Sequence, residues 1–207
     1  MANQKPMLLI DGENFMHRLF DLLKSQKKIH QKHEIISYDL DGLLAEVISI
    51  AESANIVRKY FGTRIRHQSQ DNKVQEHTEK LIQSQRRWKR YIEDRGTEFV
   101  YAGNLRLREG KPCRHCGKST QYFVEKGVDV AIATELLRLA TDKFKGQVYL
   151  LSSDSDLLPA IRVALAKGLK ITYIATETSI NLALSKTIKK TRTISEKHLV
   201  QYWKMTQ

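Results

Sequence analysis

The stretch Gln147–Pro159, QVYLLSSDSDLLP, most constrains what this chain can fold into. Val148, Tyr149, Leu150 and Leu151 form an apolar run without alternation, as expected of a parallel strand buried on both faces. Pro159 suits the first turn of a helix, where its missing N–H has no partner to lose. Ile161, Val163, Ala164 and Leu165 carry that helix on to a stop at Gly168. Asp154 and Asp156 therefore stand at the carboxyl end of a central strand. In open α/β sheets ligands bind at that edge, in the crevice where the strand order reverses. Helix capping is the competing reading of Ser153 and Asp154.

The opening Pro6–Asn14, PMLLIDGEN, repeats the pattern. Met7–Ile10 make a short buried strand, Gly12 lets the backbone turn, and Asp11 and Asn14 arrive as the strand ends. Phe15, Leu19, Leu22 and Leu23 follow at helical spacing, so Asn14 opens a first helix, as a cap or as a group that orients a water or phosphate. Beyond a basic loop over Lys24–His33, Leu43, Leu44, Val47, Ile48 and Ala51 predict a second helix. Ile56–Ile65 reads as a strand, Asp71–Arg95 as a long helix stopped by Gly96, and Thr97–Leu107 as a strand running out into a loop.

Gly127–Ala140, GVDVAIATELLRLA, reads as a helix apolar around most of its circumference, hence buried. Asp129 lies in its first turn, on the side of the preceding strand ends if the crossover is right-handed. Glu135, six residues on, is rotated roughly 120° away and is a conditional member of the site. Leu169–Ala175 is the last clear strand, followed by a short helix over Ser179–Leu184 and a final one over 196–203.

Three junctions thus deliver carboxylates to one end of one sheet: Asp11, Asp129, and the pair Asp154 and Asp156. Unit charges a few ångströms apart repel by about 4 kcal/mol at an effective dielectric near 20, so the cluster calls for a counter-ion. Hard oxygen ligands without clustered histidines favour Mg²⁺ or Mn²⁺.

Composition supplies the substrate side. The 207 residues carry a formal charge of +12, which points to a polyanionic partner, RNA in the first instance. Three regions supply the candidate nucleic-acid contacts: Arg86, Arg87, Lys89 and Arg90 on the long helix, Arg106, Arg108 and Arg114 in RLREGKPCRHCGK, and Lys186, Lys189, Lys190 and Arg192 in KTIKKTR. For the long helix a merely solvated face is the plainer reading, since Glu76, Glu79, Glu93 and Asp94 dilute its charge. No apolar run is long enough to span a bilayer, and Met1–Asp11 lacks the features of a secretory signal, so no membrane partner and a cytoplasmic location are expected. Cys113 and Cys116 have half-knuckle spacing for zinc. Completion needs His115, His67, His77 or another subunit, and a reduced, unligated pair is the simpler reading.

Three segments, LLIDGENF at Leu8–Phe15, EKGVDVAIATELLRLA at Glu125–Ala140 and LLSSDSDLLPAI at Leu150–Ile161 followed by KGLKITYIA, resemble the NYN domain family, specifically its LabA-like branch among the PIN-like nucleases. The resemblance implies a three-layer α/β/α PIN-like fold around a mostly parallel sheet. The length suits one domain over 1–207, and the basic cysteine segment reads as an excursion from it at about 106–124. The resemblance puts Asp11, Asn14, Asp129, Asp154 and Asp156 on the acidic motif positions of a metal-dependent endoribonuclease. Glu135 stands where the family more often has Asp, and Ser153 where it often has Gly. Two alternatives remain: a non-catalytic RNA-binding module or adaptor on the same fold, and a DNA nuclease or other phosphotransfer enzyme. A homo-oligomer is compatible with either.

Overall fold

The computed structural model describes residues 4–35, 38–49 and 53–203. Its strands are β1 (Met7–Asp11), β2 (Val57–Arg64), β3 (Thr97–Glu109), β4 (Gln121–Lys126), β5 (Gln147–Leu151), β6 (Lys170–Thr176) and β7 (Thr191–Ile194). They form one mixed sheet in the order β4-β3-β2-β1-β5-β6-β7. Only the β3–β4 pairing is antiparallel. The described helices are α1 (Gly12–Ser25), α2 (Leu40–Val47), α3 (Asn72–Glu93), α4 (Val128–Thr141), α5 (Leu158–Ala166), α6 (Leu182–Ile188) and α7 (Glu196–Gln201).

The sheet is buried on both sides because its central strands are apolar at consecutive positions. Leu8 and Ile10 of β1, with Tyr149 and Leu151 of β5, face one core against Leu19 and Leu23 of α1 and Trp88 and Ile92 of α3. Leu9, Val148 and Leu150 face the other, against Ile132 and Leu136 of α4 and Ile161 of α5. Each fully buried aliphatic side chain contributes roughly 1.5–3 kcal/mol, an upper figure since the unfolded chain is itself partly compact. The result is the three-layer α/β/α arrangement.

Strand order reverses between β1 and β5. From β1 the chain proceeds to β2 and β3 on one side, and from β5 to β6 and β7 on the other. Ile10 pairs in register with Leu151, so the next residues, Asp11 and Ser152, emerge side by side at the crevice. Gly12 is required here. A Cβ on it would come within 2.5 Å of the Phe61 carbonyl oxygen and 2.3 Å of the Tyr60 ring, so only glycine lets α1 start this close to β2.

Several expectations are corrected. The segment 106–124 is largely a hairpin: β3 continues to Glu109, and β4 pairs back from Asn104↔Lys126 to Glu109↔Gln121, leaving 110–120 as its loop. Polar strands such as QYFVEK and TRTI carry a weak local signal, and cross-strand pairing decides them. Helix α4 is buried on one side only, with Val130 63% and Leu137 37% exposed, because a helix on an outer layer has one sheet to face. The helix expected over Ser179–Leu184 begins later. Residues Glu177–Ser179 form a single 3₁₀ turn, and Asn181 caps α6 by accepting the backbone N–H groups of Ala183 and Leu184. Ala51, expected in the second helix, lies outside the described residues, and the last helix closes at Gln201.

Candidate active site

Asp11 is both the last residue of β1 and the N-cap of α1. Its Oδ1 accepts the Asn14 backbone N–H at 3.0 Å, and its Oδ2 accepts the Ser152 hydroxyl at 2.8 Å. Ser152 Oγ in turn accepts the Asp154 backbone N–H at 3.1 Å, and Asp154 Oδ1 accepts the Asp156 N–H at 2.9 Å. Ser153 Oγ donates to Asn14 Oδ1 at 2.9 Å, while the Asn181 amide donates to the Ser153 carbonyl at 3.1 Å. The loop after β5 is therefore laced to the start of α1 and to the cap of α6. The capping role of Asp154 is real, and it fixes the carboxylate beside Asp11 at the same time.

The electrostatics identify which acids share this space. Burial pushes the Asp11 carboxyl up, and the charges of Asp154 and Glu13 push the same way against the Asn14 N–H and the Ser152 hydroxyl. Burial also raises Glu125 of β4, aided by Glu13, Asp129 and Asp11 and opposed by the Val128 N–H that Glu125 Oε1 accepts at 3.0 Å. For Glu13, burial is outweighed by the Lys32 ammonium at 3.2 Å and the Thr63 hydroxyl at 2.7 Å, which hold it below its ordinary value. Gly127, at φ +105°, turns the chain from β4 into α4 and so sets Glu125 beside the helix start that carries Asp129. Asp11 thus feels Asp154 and Glu13 directly, and Asp129, in the first turn of α4, is linked to this set through Glu125.

Of the two other candidate acids, one is tied to this loop through its backbone and the other is engaged elsewhere. Asp156 is exposed and contributes its backbone N–H to Asp154. Glu135 is committed elsewhere, between Lys59 Nζ at 3.0 Å and Arg138 Nε at 2.8 Å. The hydrogen bonds from Arg138, with Lys59, hold its carboxyl down to about 2 despite partial burial. Among the described residues no three Asp, Glu, His or Cys side chains are close enough together to hold a metal ion directly. The donors are nonetheless hard oxygens with a buried carboxylate among like charges. That set suits an ion bound through one or two carboxylates that keeps several of its waters.

Sequence reasoning missed Glu125, Arg18 and the bridging role of Ser152, and did not place Glu13 at this edge. Glu13 and Glu125 lie within the motif segments but beside the better-known acids. Arg18 follows Asn14 by one helical turn and lines the crevice with Ser152, Ser153 and Thr176. An exposed arginine on an amphipathic helix has no distinguishing local signal.

The cysteine loop and the basic residues are placed as follows. Cys113 and Cys116 are exposed at the hairpin tip, where the Gly117 N–H bonds the Cys113 carbonyl at 2.8 Å. His67 pairs with Glu79 at 3.2 Å and His77 lies against Phe123, so neither completes the pair. Arg86, Arg87, Arg90, Arg106, Arg108, Arg114, Lys186, Lys189 and Lys190 are exposed, and Lys89 pairs with Glu93. Arg192 is a correction. It is half-buried on β7, donates to the Val47 and Ile48 carbonyls and lies over the Tyr149 ring, so its guanidinium ties α2 to the sheet.

With this geometry in place, comparison with known families is decisive: the NYN domain model matches residues 5–194. The chain belongs to the NYN domain family. NYN domains are PIN-like nucleases that generally use divalent metal ions and bind nucleic acid. The match spans all seven strands of this NYN domain, the acidic edge and the cysteine hairpin together. No curated protein and no solved structure matches the chain. Among the described residues no helix is long and apolar enough to cross a membrane.

Proposed function

We propose that this NYN domain is a Mg²⁺- or Mn²⁺-dependent endoribonuclease that hydrolyses RNA phosphodiester bonds at the β1/β5 crevice. The observation that carries the reading is the buried Asp11 carboxylate, held by Ser152 among the charges of Asp154 and Glu13 in a chain of net charge +12. Asp11 and Asp154 are the carboxylates that would hold the ion, with Asp129 reaching it through the waters it keeps. When bound, the ion lowers the pKa of a coordinated water and neutralises charge on the phosphoryl oxygens.

The chain's own groups do the rest. Ser153 donates to Asn14 Oδ1, which leaves the Asn14 amide hydrogens to orient a phosphate oxygen or the attacking water. Arg18 holds a neighbouring phosphate, and the exposed arginines and lysines of α3, the hairpin and the α6–β7 connection hold the backbone that the acidic edge alone would repel. Asp156 supports the turn through its N–H, and its carboxylate remains a candidate ligand on the outer side.

One observation favours the second reading, a non-catalytic RNA-binding module: among the described residues no three carboxylates stand close enough to close on one ion together. The two readings separate on cleavage of single-stranded and structured RNA, and of single-stranded DNA, with Mg²⁺, Mn²⁺ or EDTA. A product ladder from RNA that vanishes in EDTA and in Asp11→Asn and Asp154→Asn is the expected result. Salt-sensitive RNA binding without turnover supports the binding module, and cleavage of DNA with RNA untouched supports a DNA nuclease. Activity indifferent to EDTA overturns the metal-dependent mechanism.

A further inference from the structure

Beside the acidic edge lies a groove of about 530 Å³ between α1, α3 and the β2–β3–β4 part of the sheet. Its size falls in the roughly 300–1,000 Å³ range of sites that enclose a small ligand. The floor is aromatic: Tyr60 and Phe99 stack at 5.3 Å between centroids, and Trp88 meets Tyr60 edge-on at 5.9 Å. One wall carries a second ring pair, Phe123 of β4 and His77 of α3, 6.0 Å apart and inclined by 30°. Phe123 is half-buried and His77 exposed. His17, Glu13 and Glu125 line the groove as well, together with Lys32, which is paired with Glu13 at 3.2 Å.

We propose that this groove is the site for one unpaired nucleobase of the RNA strand, next to the phosphate held at the acidic edge. The inference rests on the RNA reading above. Three properties select a base over an apolar peptide. The groove shares Glu13 and Glu125 with the acidic edge, so whatever occupies it is continuous with whatever crosses that edge. Tyr60, Trp88 and Phe99 close the floor as buried rings, and the accessible rings of Phe123 and His77 can stack on any base without demanding a sequence. The groove lining includes the His17 and His77 imidazoles, which suit hydrogen bonding to base edges. A duplex cannot present an unstacked base, so the groove selects single-stranded segments, loops or bulges.

The test uses the full chain and two ten-residue RNA strands, one of adenosines and one with the same backbone but abasic throughout. Binding is measured by fluorescence anisotropy in EDTA, where no cleavage interferes. Loss of one stacked base weakens binding roughly five- to hundredfold. Phe123→Ala and the milder Phe123→Leu should weaken the adenosine strand by about that factor and leave the abasic strand unchanged. His77→Ala, on an exposed position, should move in the same direction with an unchanged melting temperature. Equal affinity of the wild-type protein for both strands, or equal loss on both strands in the variants, overturns the base site, and a groove covered by a protein partner would give this result. The nuclease reading fails separately: cleavage that ignores abasic substitution and Phe123 removes the base site alone. Base-dependent binding with no cleavage in Mg²⁺ or Mn²⁺ removes the nuclease alone.

Discussion

The Ser152 hydroxyl donates to Asp11 Oδ2 across the β1–β5 junction, joining residues 141 positions apart in the chain at 2.8 Å. Ser152 is buried, and the hydrogen bond it makes is to a carboxylate that burial already disfavours as an anion. Removing it in Ser152→Ala leaves a buried charge with one fewer donor, a loss of about 1–3 kcal/mol. It also removes the support of the Asp154 N–H. Chemical denaturation should show the stability loss. If Asp11 acts as an anion, the acid limb of the RNA-cleavage profile should move to higher pH, because a hydrogen bond favouring the charged form is gone.

Asp11→Asn should abolish cleavage and raise the melting temperature at neutral pH. The sign follows from linkage. A carboxyl raised in the folded state binds its proton more readily there than in the unfolded chain. Stability therefore falls as pH rises through the raised value, and the ionised group opposes the fold above it. Asparagine keeps the N-cap without that charge. Added Mg²⁺ or Mn²⁺ should raise the melting temperature of the wild-type protein and not of the variant, which differential scanning fluorimetry reads directly.

Glu135→Gln provides the opposite case. Held down to about 2 by Arg138 and Lys59, Glu135 contributes stability that is present above the ordinary carboxylate value and lost as pH falls toward about 2. Arg138 is half-exposed, so screening limits the contribution to on the order of 1 kcal/mol. Urea melts at neutral pH should show that loss, while RNA cleavage stays near the wild-type rate.

Arg18→Ala tests the phosphate contact. RNA affinity should fall, and the slope of log affinity against log salt should become shallower by about one, since one fewer counterion is released per complex. Arg18→Lys should restore the slope. An unchanged slope would remove Arg18 from the interface.

Gly12→Ala tests the close approach of α1 to β2. The Phe61 carbonyl oxygen is backbone and cannot swing away from a Cβ 2.5 Å distant, so the helix must shift. A destabilisation of roughly 1–3 kcal/mol is expected, together with loss of activity, because Asp11 caps the same helix.

Much of this architecture was legible in the amino-acid sequence because it is local. Met7–Ile10 and Val148–Leu151 are strands buried on both faces whichever neighbours they acquire, and Pro159 and Gly168 punctuate α5 by backbone geometry alone. The placement of Asp11, Asp129 and Asp154 at strand or helix junctions follows from those boundaries. Tertiary structure decided the rest. Only folding could show that Glu125 and Glu13 join the acidic edge, that Lys59 and Arg138 draw Glu135 away from it, and that Arg192 bonds α2 carbonyls. Strands β4 and β7 exist through pairing with β3 and β6. The aromatic groove lines up α1, α3 and three strands that the chain keeps far apart. Periodicity and punctuation act between residues a few positions apart. Ion pairs, edge strands and cavities depend on distances that are set when the sheet closes.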